Sequence, residues 1–276
     1  MAGEGRQSPP GTGGPAPSGL DTSVAHIARV YDYWLGGKDN FAVDREAAEQ
    51  VIAAYPGILR DVRAQRAFLA NAVRYLAGVA GIRQFLDIGT GIPTANNTHE
   101  VAQGAEPGCR VVYVDNDPLV LAHARALLVG TAAPTAYVDA DLRDVGMVLA
   151  EAARLLDFSR PVAVLLISVL HLIPDEDDPH AIVTRLMEAV PSGSWLALSH
   201  PARDVHPQQV TEAASRFNQL APANATLRTR AEILRFFDGL ELLEPGLVQI
   251  HRWRPGLAAP GRNQEAAGYC GLARKT

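Results

Sequence analysis

The chain lacks any surplus of basic residues. Its 25 lysines and arginines stand against 30 aspartates and glutamates, a net charge of −5 over 276 residues. That balance supplies no positive field to hold a phosphate backbone, so nucleic acid is not an expected partner. Cysteine is nearly absent. Cys109 and Cys270 are too few for a disulfide framework, and neither has a second cysteine at metal-ligand spacing. Both are expected to be reduced, buried thiols of a cytoplasmic protein. No stretch approaches the ~20 apolar residues of a membrane-spanning helix, and the N-terminus lacks the basic segment and apolar run of a secretory signal. No histidine or acid pair has metal spacing. His99 carries no such signal, and the Asp175–Asp178 run reads as a solvated acidic turn. A globular protein with no membrane, nucleic-acid or metal partner remains, its oligomeric state open.

What is present divides into three parts. Residues 1–21 open with six glycines and four prolines among the first 19, which reads as a disordered leader. Residues 22–80 are helical in pattern. Val43, Ala47, Ala48, Val51 and Ile52 form one apolar stripe, and Phe68, Leu69, Ala72, Val73, Leu76 and Ala77 form a second with arginines opposite. From residue 81 onward strands and helices alternate. RQFLDI, RVVYVD, TAYVDA, PVAVLLISV and SWLALSH read as strands, separated by helices such as PLVLAHARALL, with Asp117 as its cap and Pro118 at its first position. This alternation implies an α/β protein with a doubly wound, mostly parallel sheet. Near the end, Thr229 and Glu232 fit a capping box. Beyond it, LELLE, LVQIHRW and GYCGLA are two or three strands joined by turns or a loop, an antiparallel edge.

The stretch FLDIGTGIPTANN sits in the first strand-to-helix turn, where glycine lets backbone approach a ligand. Gly89 and Gly91 match the start of a dinucleotide fingerprint. Thr94 occupies the place of its third glycine, and no Gly-Lys-Ser/Thr follows to make a phosphate loop. Asp87, two residues before the first glycine, repels a pyrophosphate but attracts positive charge. Asp115 lies 24 residues past Gly91, where an acid at the end of the second strand accepts from both ribose hydroxyls. After the third strand, Asp141 is placed to accept from an adenine amine while Leu142 covers the ring. Each acid also has a plainer reading: Asp87 as a turn cap, Asp115 and Asp117 as helix caps, Asp141 as a solvated turn residue. Three such coincidences at successive strand ends are less economical than one site for a cationic nucleoside.

FLDIGTG, VVYVDNDP and DADL, in this order and spacing, resemble motifs of the class I S-adenosylmethionine-dependent methyltransferases. YDYWLGGKDNFAVDRE, PTANNTHEVAQ and PSGSWLALSH are similar to an actinobacterial methyltransferase-like family formerly of unknown function, and the similarity runs from about residue 22 to the C-terminus. The resemblance implies a Rossmann-like, seven-stranded sheet with a reversed last strand, carried by residues 81–276, and S-adenosyl-L-methionine as cofactor. It further implies that Asp87, Gly89, Thr90 and Gly91 bound the methionine end, Asp115 the ribose, and Asp141 with Leu142 the adenine. Asn116 and Ser168 join this set.

The acceptor side is less defined. The fourth strand ends ISVLHLIPD, without the Asn/Asp-Pro-Pro-aromatic loop of many enzymes that methylate exocyclic or amide nitrogens. His171 is the candidate general base, with a structural histidine as the alternative, and His200 and Asp204 are further candidates. Tyr31, Tyr33, Trp34 and Phe41 crowd around Gly36 and Gly37. They read either as a flap over the cofactor, contacted through Tyr33 and Asn40, or as helix packing around a tight turn. The expected activity is methyl transfer to a small-molecule acceptor. The alternatives are a regulatory protein that binds S-adenosylmethionine or its demethylated product without catalysis, and a nicotinamide-dependent reductase, which Thr94 and Asp87 disfavour.

Overall fold

The computed structural model describes residues 21–128, 134–221, 224–253 and 265–276. Apart from Asp21, the expected leader lies outside them. Five parallel strands, β1 (Gln84–Ile88), β2 (Arg110–Asp115), β3 (Thr135–Asp139), β4 (Ala163–Ile167) and β5 (Trp195–Pro201), form the body of one sheet. β6 (Glu241–Leu242), β7 (Val248–Gln249) and β8 (Gly268–Arg274) complete it. The order is β3-β2-β1-β4-β5-β8-β6, with β8 antiparallel to β5, β6 and β7. Seven strands thus make the continuous path, and the two-residue β7 pairs with β8 beside it.

Side chains alternate along each strand, and both faces are covered. Leu86, Ile88, Val112, Val114, Val164, Leu166, Leu196 and Leu198 enter one core; Phe85, Val111, Tyr113, Leu165, Ala197 and Leu272 enter the other. Cys109 and Cys270 are buried and unpaired, as expected.

The N-terminal region forms α1 (Ile27–Trp34), α2 (Ala42–Ala54) and α3 (Ile58–Gly78). The Phe68–Ala77 stripe of α3 is wholly buried against the second core, because its apolar residues recur at three and four positions. Between the strands lie α4 (Thr98–Ala105), α5 (Pro118–Leu128), α6 (Val145–Ala152) and α7 (Pro179–Glu188). Asp178 caps α7 by accepting from the Ala181 amide, and Asp117 accepts from the Leu119 amide at the start of α5. α8 (Pro207–Leu220) packs on α2 and has no counterpart among the expected elements. α9 (Arg230–Leu234) begins with the Thr229/Glu232 capping box.

β1 has β2 on one side and β4 on the other, so the chain reverses direction across the sheet between them. The carboxyl ends of β1, β2 and β4 open into the crevice that this reversal creates, where open α/β sheets hold ligands. α1 lies over that crevice.

Candidate active site

A cavity of about 170 Å³ occupies the crevice. Asp87, Gly89, Thr90, Gly91, Asp115, Asn116, Asp141, Leu142 and Ser168 all line it, so nine of the expected contacts converge on one space.

The floor is built by the loop after β1. Gly89 (φ 73°) and Gly91 (φ 66°) both have left-handed backbone. A Cβ on Gly89 would lie 2.4 Å from Cγ2 of Val169, whereas one on Gly91 would meet nothing within 4 Å. The first glycine is therefore required by packing against the β4 end, and the second leaves bare backbone beside the cavity. The Gly89 amide donates to the Val114 carbonyl (2.8 Å), and the Gly91 amide donates to Oδ2 of Asp115 (2.8 Å). The amide of Asn97, which caps α4, is taken by Glu100 (2.8 Å). With these donors occupied and a carboxylate at the helix start, the loop is not an anion nest, and a pyrophosphate does not fit it.

The acids fit a cation and a diol instead. Asp87 is buried and accepts from the Thr98 hydroxyl (2.6 Å). Burial pushes its carboxyl up to about 6, against the opposing pull of Thr98 and Arg66. Asp115 accepts from the amides of Gly91 and Asp117, and burial raises its carboxyl despite both bonds. A buried carboxylate that has lost its water gains most from a ligand bringing positive charge or hydroxyl donors. Asp141 stands at the cavity edge, accepting from the Arg143 amide (2.8 Å) and facing the Arg143 guanidinium (3.3 Å). Ser168 holds left-handed backbone (φ 54°) and donates its amide to the Ser199 carbonyl (3.0 Å), which aims the chain after β4 across the crevice.

The roof is only partly legible in the sequence: the segment read as a flap over the cofactor reaches the cavity through Tyr31, whereas the α1 residues before it and those of α3 carry no signal. Ile27, Ala28, Tyr31, Asp32 and Leu35 line the cavity from one face of α1, and Arg66 and Leu69 from α3. His26 lies 2.7 Å from Asp117, next to the end of β2. Burial alone would raise Asp117, but the His26 hydrogen bond and charge, the Leu119 amide and Arg29 together hold its carboxyl down. This contact anchors α1 to the loop carrying Asp115.

Three expected contacts lie elsewhere. Tyr33 points away from the cavity-lining face of α1 and donates to Glu49 (2.5 Å). Asn40 donates to Oδ2 of Asp32 (2.8 Å), so it supports a cavity residue without reaching the wall. His171, in a single 3-10 turn, is buried away from the cavity with its ring 6.0 Å from that of His200. Burial and the Arg228 charge push it down to about 4, which makes it a weak base.

The buried Arg228 organises that region. It donates to the carbonyls of Leu170 (3.0 Å) and Ile173 (2.9 Å) and pairs with Asp175 (2.6 Å). Asp175 is therefore the ion-pair partner of a buried arginine, not simply part of a solvated turn. Nε2 of His200 faces the same guanidinium at 3.0 Å, so it is the unprotonated nitrogen, while Nδ1 donates to the Pro201 carbonyl (2.7 Å). Among the described residues, no group of three or more His, Cys, Asp or Glu is placed to hold a metal ion.

A parallel sheet of this order with one reversed strand, and acids at the ends of β1, β2 and β3 around a bare glycine loop, define a Rossmann-like methyltransferase. Comparison with known proteins agrees. The profile described as S-adenosyl methyltransferase matches residues 14–276, and the chain belongs to that family. A DUF574 family protein from Streptomyces avermitilis MA-4680 is 46% identical, with a TM-score of 0.89 over 93% of this chain and 99% of its own. A Thermobifida fusca YX protein, provisionally described as a methyltransferase, is 41% identical, with a TM-score of 0.88 over 94% of this chain and 98% of its own. An O-methyltransferase family 2 protein from Planctomyces limnophilus DSM 3776 shares the fold at 15% identity, with a TM-score of 0.51 over 90% of this chain and 65% of its own. No curated protein gives a significant match. The cofactor of the family is S-adenosylmethionine, and no described helix is long and apolar enough to cross a membrane.

Proposed function

We propose that this protein transfers the methyl group of S-adenosylmethionine to a small-molecule acceptor, at oxygen or nitrogen. The observation that carries the reading is the convergence of Asp87, Asp115 and Asp141 with the bare Gly89–Gly91 loop on one cavity, which α1 roofs on one side. Asp115, with Asn116 beside it, is assigned to the ribose, Asp141 and Leu142 to the adenine, and Asp87 with the Gly89–Gly91 loop to the methionine end.

When bound, the cofactor supplies a methyl group already activated on a sulfonium. What the chain must add is alignment of the nucleophile and exclusion of water. The apolar wall of Leu69, Ile167, Val169, Leu172 and Ile173 serves the second task. His171 has no part in this scheme. The acidic lining and the net charge of −5 also argue against a nucleic-acid acceptor.

Incubating the protein with S-adenosylmethionine and fractionated low-molecular-weight metabolites tests the reading. S-Adenosylhomocysteine should form only with particular fractions. Tight cofactor binding without turnover in any fraction would favour the regulatory alternative.

A further inference from the structure

Three basic side chains line the cavity: His26, Arg66 and Arg143. Two are already matched. His26 faces Asp117 at 2.7 Å, and Arg143 faces Asp141 at 3.3 Å and Asp177 at 3.5 Å. Arg66 is different. It reaches from α3 to the loop beyond the glycines and donates to the neutral carbonyls of Ala95 (3.2 Å) and Asn96 (3.3 Å). Among the described cavity-lining residues, it is the one cation without an acidic side-chain partner. Those two bonds tie it to the loop that follows β1, which places it at the β1 end of the cavity.

Asp87 and Arg66 therefore bring opposite charges to one end of the space. Asp87 uses Oδ2 for Thr98, and no described side chain or amide bonds its other oxygen. This complements a zwitterion, with the ammonium toward the buried carboxylate and the carboxylate toward the guanidinium, whose planar fork suits a carboxylate. We infer that Arg66, on the N-terminal helical region, is the receptor for the cofactor's α-carboxylate and selects ligands that carry the whole amino acid. The inference rests on the cavity being the cofactor site. It also gives α3 a part in binding that the motifs of the sheet do not contain.

Calorimetry with three ligands separates this role from simple stapling of the 95–96 loop. S-Adenosylhomocysteine carries ammonium and carboxylate, decarboxylated S-adenosylhomocysteine carries ammonium alone, and 5′-methylthioadenosine carries neither. Arg66→Met should weaken S-adenosylhomocysteine about 10- to 100-fold, the range of a charged hydrogen bond. The other two ligands should change by less than about threefold, and their retained binding also shows that the variant is folded. Arg66→Lys should recover part of the loss. Equal weakening of all three ligands, or no weakening of any, overturns the assignment of Arg66 while leaving the cavity as the cofactor site. Failure of the unaltered protein to bind S-adenosylhomocysteine overturns the site itself.

Discussion

The backbone amide of Gly91 donates to Oδ2 of Asp115 across 2.8 Å, tying the loop after β1 to the end of β2. One carboxylate thus both shapes the glycine loop and lines the cavity. Replacing it removes two functions together. Asp115→Asn keeps an acceptor for one amide but loses the charge, and it should weaken S-adenosylhomocysteine binding at least about 10-fold, the cost of a charge-assisted hydrogen bond. Calorimetry at neutral pH checks this. An unchanged dissociation constant would remove Asp115 from the site.

The two glycines should differ. At Gly89 an added methyl group collides with Val169 at 2.4 Å and left-handed backbone is imposed as well, so Gly89→Ala should prevent stable folding or lower the melting temperature steeply. At Gly91 the space is open, so Gly91→Ala carries only the left-handed strain of about 1 to 2 kcal/mol. That variant should fold, yet bind cofactor more weakly, because the new methyl group sits beside the cavity proposed to hold the cofactor. Thermal melts paired with calorimetry distinguish the two.

Asp87 links pH to stability and to binding with opposite signs. Its folded-state carboxyl is raised from 3.8 to about 6 by burial, so the fold favours the protonated form. The stability this provides is complete below about pH 3.8 and is lost as pH rises through 6. Above that, the buried charge costs up to about 3 kcal/mol, at ~1.4 kcal/mol per unit. Asp87→Asn should therefore raise the urea midpoint of the ligand-free protein at pH 8 and leave it little changed at pH 4. Binding runs the other way. Because the ammonium group of the ligand needs the carboxylate, affinity for S-adenosylhomocysteine should fall as pH drops below about 6, and the Asn variant should lose that dependence.

Arg228 pins the segment after β4, which carries Ser168, Val169, Leu172 and Ile173 to the cavity wall. Arg228→Met leaves the carbonyls of Leu170 and Ile173 without their donor and should cost about 3 kcal/mol. Asp175 is 75% exposed, so solvent screens its half of the ion pair. Asp175→Asn should cost no more than about 1 kcal/mol. Denaturant unfolding of both variants tests the contrast, and equal losses would show that the ion pair, not the carbonyl bonds, holds the segment.

The sheet and the floor of the site were legible because their signals are local. Unbroken apolar runs gave the strands, the Asp–x–Gly–x–Gly spacing placed the turn, and Asp115 and Asp141 fell at strand ends by counting. The roof was legible only in part, through Tyr31 in the segment read as a flap. His26 and Arg66 reach the cavity only through the packing of α1 and α3 on the rest of the chain, a long-range fact without a short-range pattern. Tyr33 and Asn40 were chosen from the right segment, but Tyr33 points away from the lining stripe of α1 and Asn40 stops at Asp32. His171 follows β4 as expected. The 3-10 turn there buries its side chain with Arg228 and His200, away from the crevice. α8 carries Val210, Ala213 and Phe217 to its buried side, a face that its mostly polar sequence hides.

The most direct measurement is a density map from crystals grown with S-adenosylhomocysteine. The ribose hydroxyls should lie within hydrogen-bonding reach of Asp115, the purine against Leu142, and the amino-acid end beside Asp87 and the Gly89–Gly91 loop. Density for the ligand outside the crevice, or in it with the ribose turned away from Asp115, would contradict the account.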